Sequence, residues 1–222
     1  MIRYLDLQRE YRDLQRELDP VVQRVLASGQ YILGREVEQF ERRWISYCGA
    51  AYGLLVASGT DALTLALGAS GAVRPGAADE VITSAHGSPY TPMAIVRAGG
   101  RPVFADIDPE TWLISPASIE GVLTPRTRVI MPVHLYGLPC DLKAILAIAE
   151  AHRLVVVEDA CQAHGAPQGA VGRLGAAKPR SFSAKGRARQ GTLLLQCLQR
   201  VLNLLRETLY RKRFLKKRTL RT

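Results

Sequence analysis

No stretch of this sequence stays apolar for the roughly 20 residues that a membrane-spanning helix needs. Runs such as Val129 to Val133 and Leu154 to Val157 stop at five and four residues. The start, Met1-Ile2-Arg3-Tyr4-Leu5-Asp6, has neither the apolar core nor the small-residue cleavage site of a secretory signal. The expected compartment is therefore the cytoplasm, with no membrane span. Cysteine is scarce as well: Cys48, Cys140, Cys161 and Cys197 are widely separated, and none falls in a CxxC or Cys/His cluster. That spacing excludes a zinc module and predicts reduced, structural thiols.

The body of the chain also lacks the basic excess of a nucleic-acid-binding fold. Residues 1–166 carry 15 Lys and Arg against 19 Asp and Glu, net −4, whereas residues 167–222 carry 15 against 1, net +14. The overall charge of +10 thus belongs to the tail alone. A mildly acidic body is not built around a phosphate backbone, so no nucleic acid is expected as its partner.

What is present is an alternation of short β-rich runs with longer amphipathic stretches. Strands are predicted over residues 53–57, 80–84, 102–105, 129–133 and 154–158. Helices are predicted over 60–69, 91–98, 116–123 and 142–152, with two more, 19–28 and 36–47, ahead of the first strand. Parallel strands need crossover connections, so this order predicts a three-layer α/β fold with a mostly parallel sheet. After Gly165 the texture changes. Residues 166–191 are rich in Gly, Ala, Lys and Arg without a period, and 192–222 read as one basic amphipathic helix on Leu194, Leu198, Val201, Leu202, Leu205 and Leu209. The division expected from composition is 1–191 and 192–222. A basic helix of this kind could pack on the body, lie on an acidic membrane or bind nucleic acid.

Open α/β sheets bind ligands beyond the carboxyl ends of their strands. At one such end stands Ala57-Ser58-Gly59-Thr60-Asp61-Ala62, where a helix N-terminus offers free N–H groups to a phosphate. An ordinary capped helix explains the same residues. At another, three valines run into Glu158-Asp159-Ala160-Cys161-Gln162. A strand-end carboxylate such as Asp159 is costly unless it is exposed or paired, and a protonated pyridine nitrogen is one suitable partner. Capping of the next helix is the other reading. His86, His134 and His164 follow strand ends and read as structural histidines, and Tyr136 reads as packing.

Several motifs, in order and spacing, resemble the DegT/DnrJ sugar aminotransferases. They are Leu5-Asp6-Leu7, the run from Gly29 through Tyr31 and Gly34 to Val37, Phe40-Glu41, Ala57 to Leu63, Pro102 to Asp108, Val133-His134-Leu135-Tyr136-Gly137, and Glu158 to Gly165. The resemblance is clear to about residue 166. It implies the large domain of a fold type I enzyme that uses pyridoxal 5'-phosphate to move an amino group from an amino acid, commonly glutamate, to a nucleotide-linked keto sugar, as a homodimer. Residue by residue it implies Gly59, Thr60 and Asp61 at the cofactor phosphate, Asp159 at the pyridine nitrogen and Gln162 near the ring hydroxyl. Ser181-Phe182-Ser183-Ala184-Lys185 resembles the family's lysine segment with one residue missing, which implies Ser181 at the phosphate and Lys185 as the Schiff-base lysine. The same lysine also reads as one basic residue among many.

The departures from the family pattern are specific. Gly186 to Gly191 replaces the Asn-Leu-Gly and Gly-Asp-Gly-Gly elements, and Gly87-Ser88 stands where an aromatic residue usually covers the cofactor ring, with Tyr90 nearby. Nothing in these 222 residues resembles the family's smaller C-terminal domain. The pattern therefore leaves open a truncated or non-catalytic member, one that folds or dimerises without transamination.

Overall fold

The computed structural model describes residues 6–50, 52–168, 172–173 and 193–197. The chain divides into two compact units, one running Glu41–Cys197 and the other including Met1–Phe40. In the smaller one, α1 (Leu7–Ser28) begins where the Asp6 side chain accepts the Arg9 N–H at 3.1 Å, and ends at Gly29 with φ 66°. The sequence pattern placed this helix only over 19–28. Apolar residues repeat at helical spacing from Leu7 onward, and Pro20, which lacks one N–H, removes only one intrahelical bond, so the helix continues through it. Arg24 pairs with Glu36 at 3.0 Å, holding α1 to the first turn of α2 (Arg35–Cys48).

The larger unit is built on a parallel sheet in the order β3-β2-β4-β5: β2 is Glu80–Ser84, β3 Arg101–Ala105, β4 Thr127–Met131 and β5 Val155–Val156. The crossover helices are α3 (Gly59–Ser70), α4 (Tyr90–Arg97), α5 (Pro116–Gly121) and α6 (Leu142–His152). β2 is buried along its whole length, which is why it reads as a run rather than an alternation. Its residues still alternate between faces. Val81, with Val129 and Met131, packs against Leu63, Leu67 and Ile95 of α3 and α4. Ile82, with Ile130, packs against Ile119, Leu142 and Ile145 of α5 and α6. Helices thus cover both faces, giving the three layers the sequence predicted.

β1 (Tyr52–Val56) pairs in parallel with β8 (Leu193–Cys197), and its Leu55 N–H donates to Glu41 Oε1 at 2.8 Å. The short strands β6 (Pro167–Gln168) and β7 (Gly172–Arg173) form an antiparallel pair. The strand at Leu193–Cys197 corrects the expected helix from residue 192. A short apolar run such as Leu193-Leu194-Leu195 fits either period, and the unpaired hydrogen-bonding groups of β1 decide for the strand. The compact unit accordingly runs past the 191/192 boundary. The remainder of the expected basic helix lies outside the described residues. Among the described residues no helix is long and apolar enough to cross a membrane.

The N-terminal edge of the sheet is closed by charge. Asp79, 1% exposed, accepts from the backbone N–H and Nε of Arg74, each at 3.0 Å, and pairs with Arg128 Nε at 3.2 Å. Glu80 accepts from the Thr124 hydroxyl and from Arg126 Nε at 3.1 Å. Hydrogen bonding from Arg74 holds the Asp79 carboxyl below the usual carboxylate range, and the Thr124 hydroxyl followed by Arg126 does the same for Glu80. A lowered folded-state pKa stabilises the fold above the unfolded value and loses that contribution as pH falls through the folded one. Asp79→Asn is expected to cost about 2 kcal/mol at pH 7, the order of a charge-assisted hydrogen bond. In urea titrations the gap from wild type should narrow as pH falls below about 4, the ordinary aspartate value. A gap constant with pH would show that the carboxylate charge is not what Asp79 contributes.

Candidate active site

Because the four strands β3-β2-β4-β5 are parallel, their carboxyl ends share one edge. β1 belongs to the separate pair with β8, and the helix that follows it, α3, packs on the same sheet through Leu63 and Leu67. β1 leads into Ser58, whose extended backbone caps α3 while its Oγ accepts the Asp61 N–H at 3.1 Å and donates to Asp61 Oδ2 at 2.7 Å. Arg97 Nη2 reaches Asp61 Oδ1 at 2.9 Å. The bond from Ser58, and after it the Arg97 charge, keeps the Asp61 carboxyl below the usual carboxylate range. At Asp61, the third residue of the expected cradle, the N–H is bonded to Ser58 and the carboxylate to Ser58 and Arg97. Gly59 and Thr60 differ. The first intrahelical bond is made by Ala62 N–H to Ser58 O at 2.9 Å, so the N–H groups of Gly59 and Thr60 precede the helical ladder, the position at which helix N-termini can take an anion.

Asp159 follows β5 and is 7% exposed. Its N–H donates to Pro132 O at 2.9 Å and its carbonyl accepts from His134 N–H at 3.0 Å, extending the parallel pairing by an isolated bridge between Val133 and Asp159. The carboxylate accepts the Thr91 hydroxyl at 2.8 Å on Oδ2 and the Cys161 N–H at 3.3 Å on Oδ1. Both donors are neutral, and no ion pair ties Asp159 to a cation among the described residues. A buried carboxylate with only uncharged donors has room for a cationic N–H.

Gln162 is exposed, and its Oε1 accepts the Tyr136 N–H at 2.7 Å. A backbone N–H demands an acceptor, so the amide N–H groups of Gln162 remain available to a ligand. Tyr136 was read as packing. Its side chain is instead 78% exposed, on a backbone at φ 55°. The His86 ring lies 5.3 Å from that of Trp112 and 6.5 Å from that of Tyr136. Its Nε2 is buried without a partner among the described residues. Gly87, at φ 149°, has nothing near the position of a Cβ, leaving open the place where an aromatic residue was expected. His134 is fully buried and hydrogen-bonded on both ring nitrogens, as a structural histidine should be. His164 stacks edge-on against Trp44 at 5.4 Å, and the adjacent Gly165, at φ 70°, lies so close to the Tyr47 hydroxyl that any side chain would collide with it. Cys48 and Cys140 are buried and Cys161 is exposed, and burial pushes the Cys140 thiol up to about 12. Ser181 and Lys185 lie outside the described residues.

Thr91 was not anticipated. A threonine in a first helical turn reads as a cap, and nothing local reveals that its hydroxyl meets a carboxylate 68 residues away in sequence.

An open parallel α/β sheet with a helix N-terminus and a buried, cation-free carboxylate at its carboxyl edge defines a ligand-binding domain of the doubly wound class. Over residues 12–187 the chain matches the DegT/DnrJ/EryC1/StrS aminotransferase family, and it belongs to that family. It is 45% identical over 184 residues to the dTDP-3-amino-3,6-dideoxy-alpha-D-galactopyranose transaminase of Aneurinibacillus thermoaerophilus, a match covering 82% of this chain and 50% of that protein. Among solved structures it resembles Streptomyces venezuelae DesV in complex with a ketimine intermediate, at TM-score 0.74 and 40% identity over 80% of this chain and 47% of that one. It also resembles NtdA from Bacillus subtilis with bound cofactor PMP, at TM-score 0.66 and 37% identity over 72% of this chain and 37% of that one. The chain spans about half the length of the curated relatives it matches.

The cation-free burial of Asp159 has a measurable cost. Asp159→Asn keeps an acceptor for Thr91 while removing the charge, and is expected to stabilise the ligand-free chain by about 1 kcal/mol in urea denaturation at pH 7. A loss of stability of that size would show that the carboxylate is compensated within the fold.

Proposed function

We propose that this chain supplies the cofactor-binding part of an aminotransferase that uses pyridoxal 5'-phosphate to move an amino group from an amino acid, with glutamate as donor, to a nucleotide-linked keto sugar, working as a homodimer. The observation that carries the reading is Asp159: a buried carboxylate at a strand end, held by Thr91 and Cys161 and without a cationic partner among the described residues. Its surroundings fit the cofactor. Gly59 and Thr60 make no backbone bond through their N–H groups among the described residues and can offer them to its phosphate, and Gln162, whose Oε1 serves Tyr136, can offer its amide N–H groups to the ring hydroxyl. When bound, the cofactor supplies a pyridinium ring that accepts electrons from the substrate carbon.

The protein's own residues do the rest. Asp159 holds the proton on the ring nitrogen, because a carboxylate in a site of low polarity favours a cationic neighbour strongly. Thr91 fixes one carboxylate oxygen, so that the other aims without cost at the moment of reaction. Ser181 adds a hydroxyl at the phosphate. Lys185 would hold the cofactor through its Nζ, and the same Nζ would move the proton at the carbon that carries the amino group. The dTDP-sugar relative supports a nucleotide-linked substrate.

The test is borohydride reduction of the full chain after incubation with pyridoxal 5'-phosphate, followed by peptide mapping. The expected adduct sits on Lys185 and disappears in Lys185→Ala, while glutamate is consumed only by the unsubstituted chain. An adduct that survives in Lys185→Ala would remove Lys185 from its role. A folded chain with no specific adduct and no affinity for pyridoxamine 5'-phosphate would overturn the reading as a whole.

A further inference from the structure

We infer that His134 is a positioning residue that aims Asp159 and Gln162, acting through a hydrogen-bonded network on the face of the sheet opposite the ligand; the inference rests on the cofactor reading above. The imidazole is 0% exposed. Its Nδ1 accepts the Cys140 N–H at 3.0 Å, so that nitrogen carries no proton. In the neutral ring the proton is then on Nε2, which donates to Glu158 Oε2 at 3.2 Å. The tautomer is thus set by a backbone group, and the ring bonds one residue on each side of the site.

Two consequences follow from where those partners lie. Glu158 and Asp159 are consecutive in extended chain, so their side chains leave opposite faces. Asp159 reaches Thr91 of α4, whereas Glu158 reaches His134, whose neighbours Val133, Leu135 and Cys140 belong to the core under α5 and α6. Pinning Glu158 from behind therefore fixes the rotation of the strand end, and with it the direction of the Asp159 carboxylate. On the other side, the bond from Cys140 closes the segment from His134 to Cys140 into a compact loop, reinforced by Cys140 Sγ donating to Val133 O at 3.2 Å. Tyr136 sits in that loop, and its N–H holds Gln162 Oε1.

A purely space-filling role would be met by an apolar ring, without burying polar groups. Instead Glu158 is 7% exposed with a single hydrogen bond, and its Oε1 has no partner among the described residues. A carboxylate kept in so poor an environment is costly. Directional control of the neighbouring residues is what the network provides in return.

The experiment uses the full chain with pyridoxamine 5'-phosphate, which needs no lysine for attachment, as the probe. His134→Phe fills the site but breaks both ring bonds. Glu158→Leu breaks one, and Glu158→Gln keeps an acceptor for Nε2. The dissociation constant of the probe should rise about tenfold in His134→Phe and Glu158→Leu and return to near the wild-type value in Glu158→Gln, the scale usual for residues that orient a ligand-binding group. The carboxyl carbon resonance of Asp159, assigned from Asp159→Asn, should move in the ligand-free forms of the first two variants and not in the third. Should His134→Phe not fold, the two Glu158 variants decide. Unchanged probe affinity together with an unmoved Asp159 resonance would overturn the inference. If the wild-type chain takes no probe at all, the cofactor reading fails, and the resonance by itself decides whether His134 positions Asp159.

Discussion

Parallel pairing is the constraint from which the site follows. It sends every strand of the sheet in one direction, so the carboxyl ends of β2, β4 and β5 and the first turn of α4 meet at one edge although they come from distant parts of the sequence. That edge collects helix N-termini with their unsatisfied N–H groups, and it is where a carboxylate can be buried yet remain within reach of a ligand. The opposite edge has the reverse chemistry. There the carboxylates of Asp79 and Glu80 are satisfied by Arg74, Arg128 and Arg126, and nothing is left for a ligand. Both edges bury carboxylates, and the difference between them is the presence of arginine. The Arg-paired carboxylates hold the fold together. Asp159, by contrast, has no cationic partner among the described residues.

Much of this was legible in the residues. The α/β alternation, the capped turn at Ser58-Gly59-Thr60 and the strand ending in Asp159 were visible because each depends on local pattern: a run of valines, a serine before a glycine, a hydrophobic period of 3.6. Helix α6 was bounded at both ends by the sequence pattern, since Asp141 caps it and its apolar positions repeat without interruption. What could not be read was whatever depends on a partner far along the chain. Leu193 to Cys197 is a strand only because β1 lies beside it. Asp61 looked like part of a phosphate cradle, and it is spent on Ser58 and on Arg97, a residue that no local pattern brings near it. Tyr136 looked like packing because aromatic residues usually are, yet a backbone in the left-handed region turns its ring outward while its N–H serves Gln162. Thr91 offered no signal at all.

The ion pair between Arg97 and Asp61 ties α4 to the first turn of α3. α4 is eight residues long and has its middle, Ala94 and Ile95, fully buried against the sheet. Near its beginning Thr91 grips Asp159, and at its end Arg97 grips Asp61. In between, Ala94 O accepts the Thr64 hydroxyl of α3 at 3.4 Å. Six residues of helix separate Thr91 from Arg97, a rise of about 9 Å along the axis. One short, rigid element therefore ties the helix that offers Gly59 and Thr60 to the strand end that offers Asp159. A ligand that must be gripped at both a phosphate and a ring nitrogen needs those two grips at a set distance. Through Arg97, Asp61 anchors the end of α4 and so helps to fix the distance between Gly59-Thr60 and Asp159.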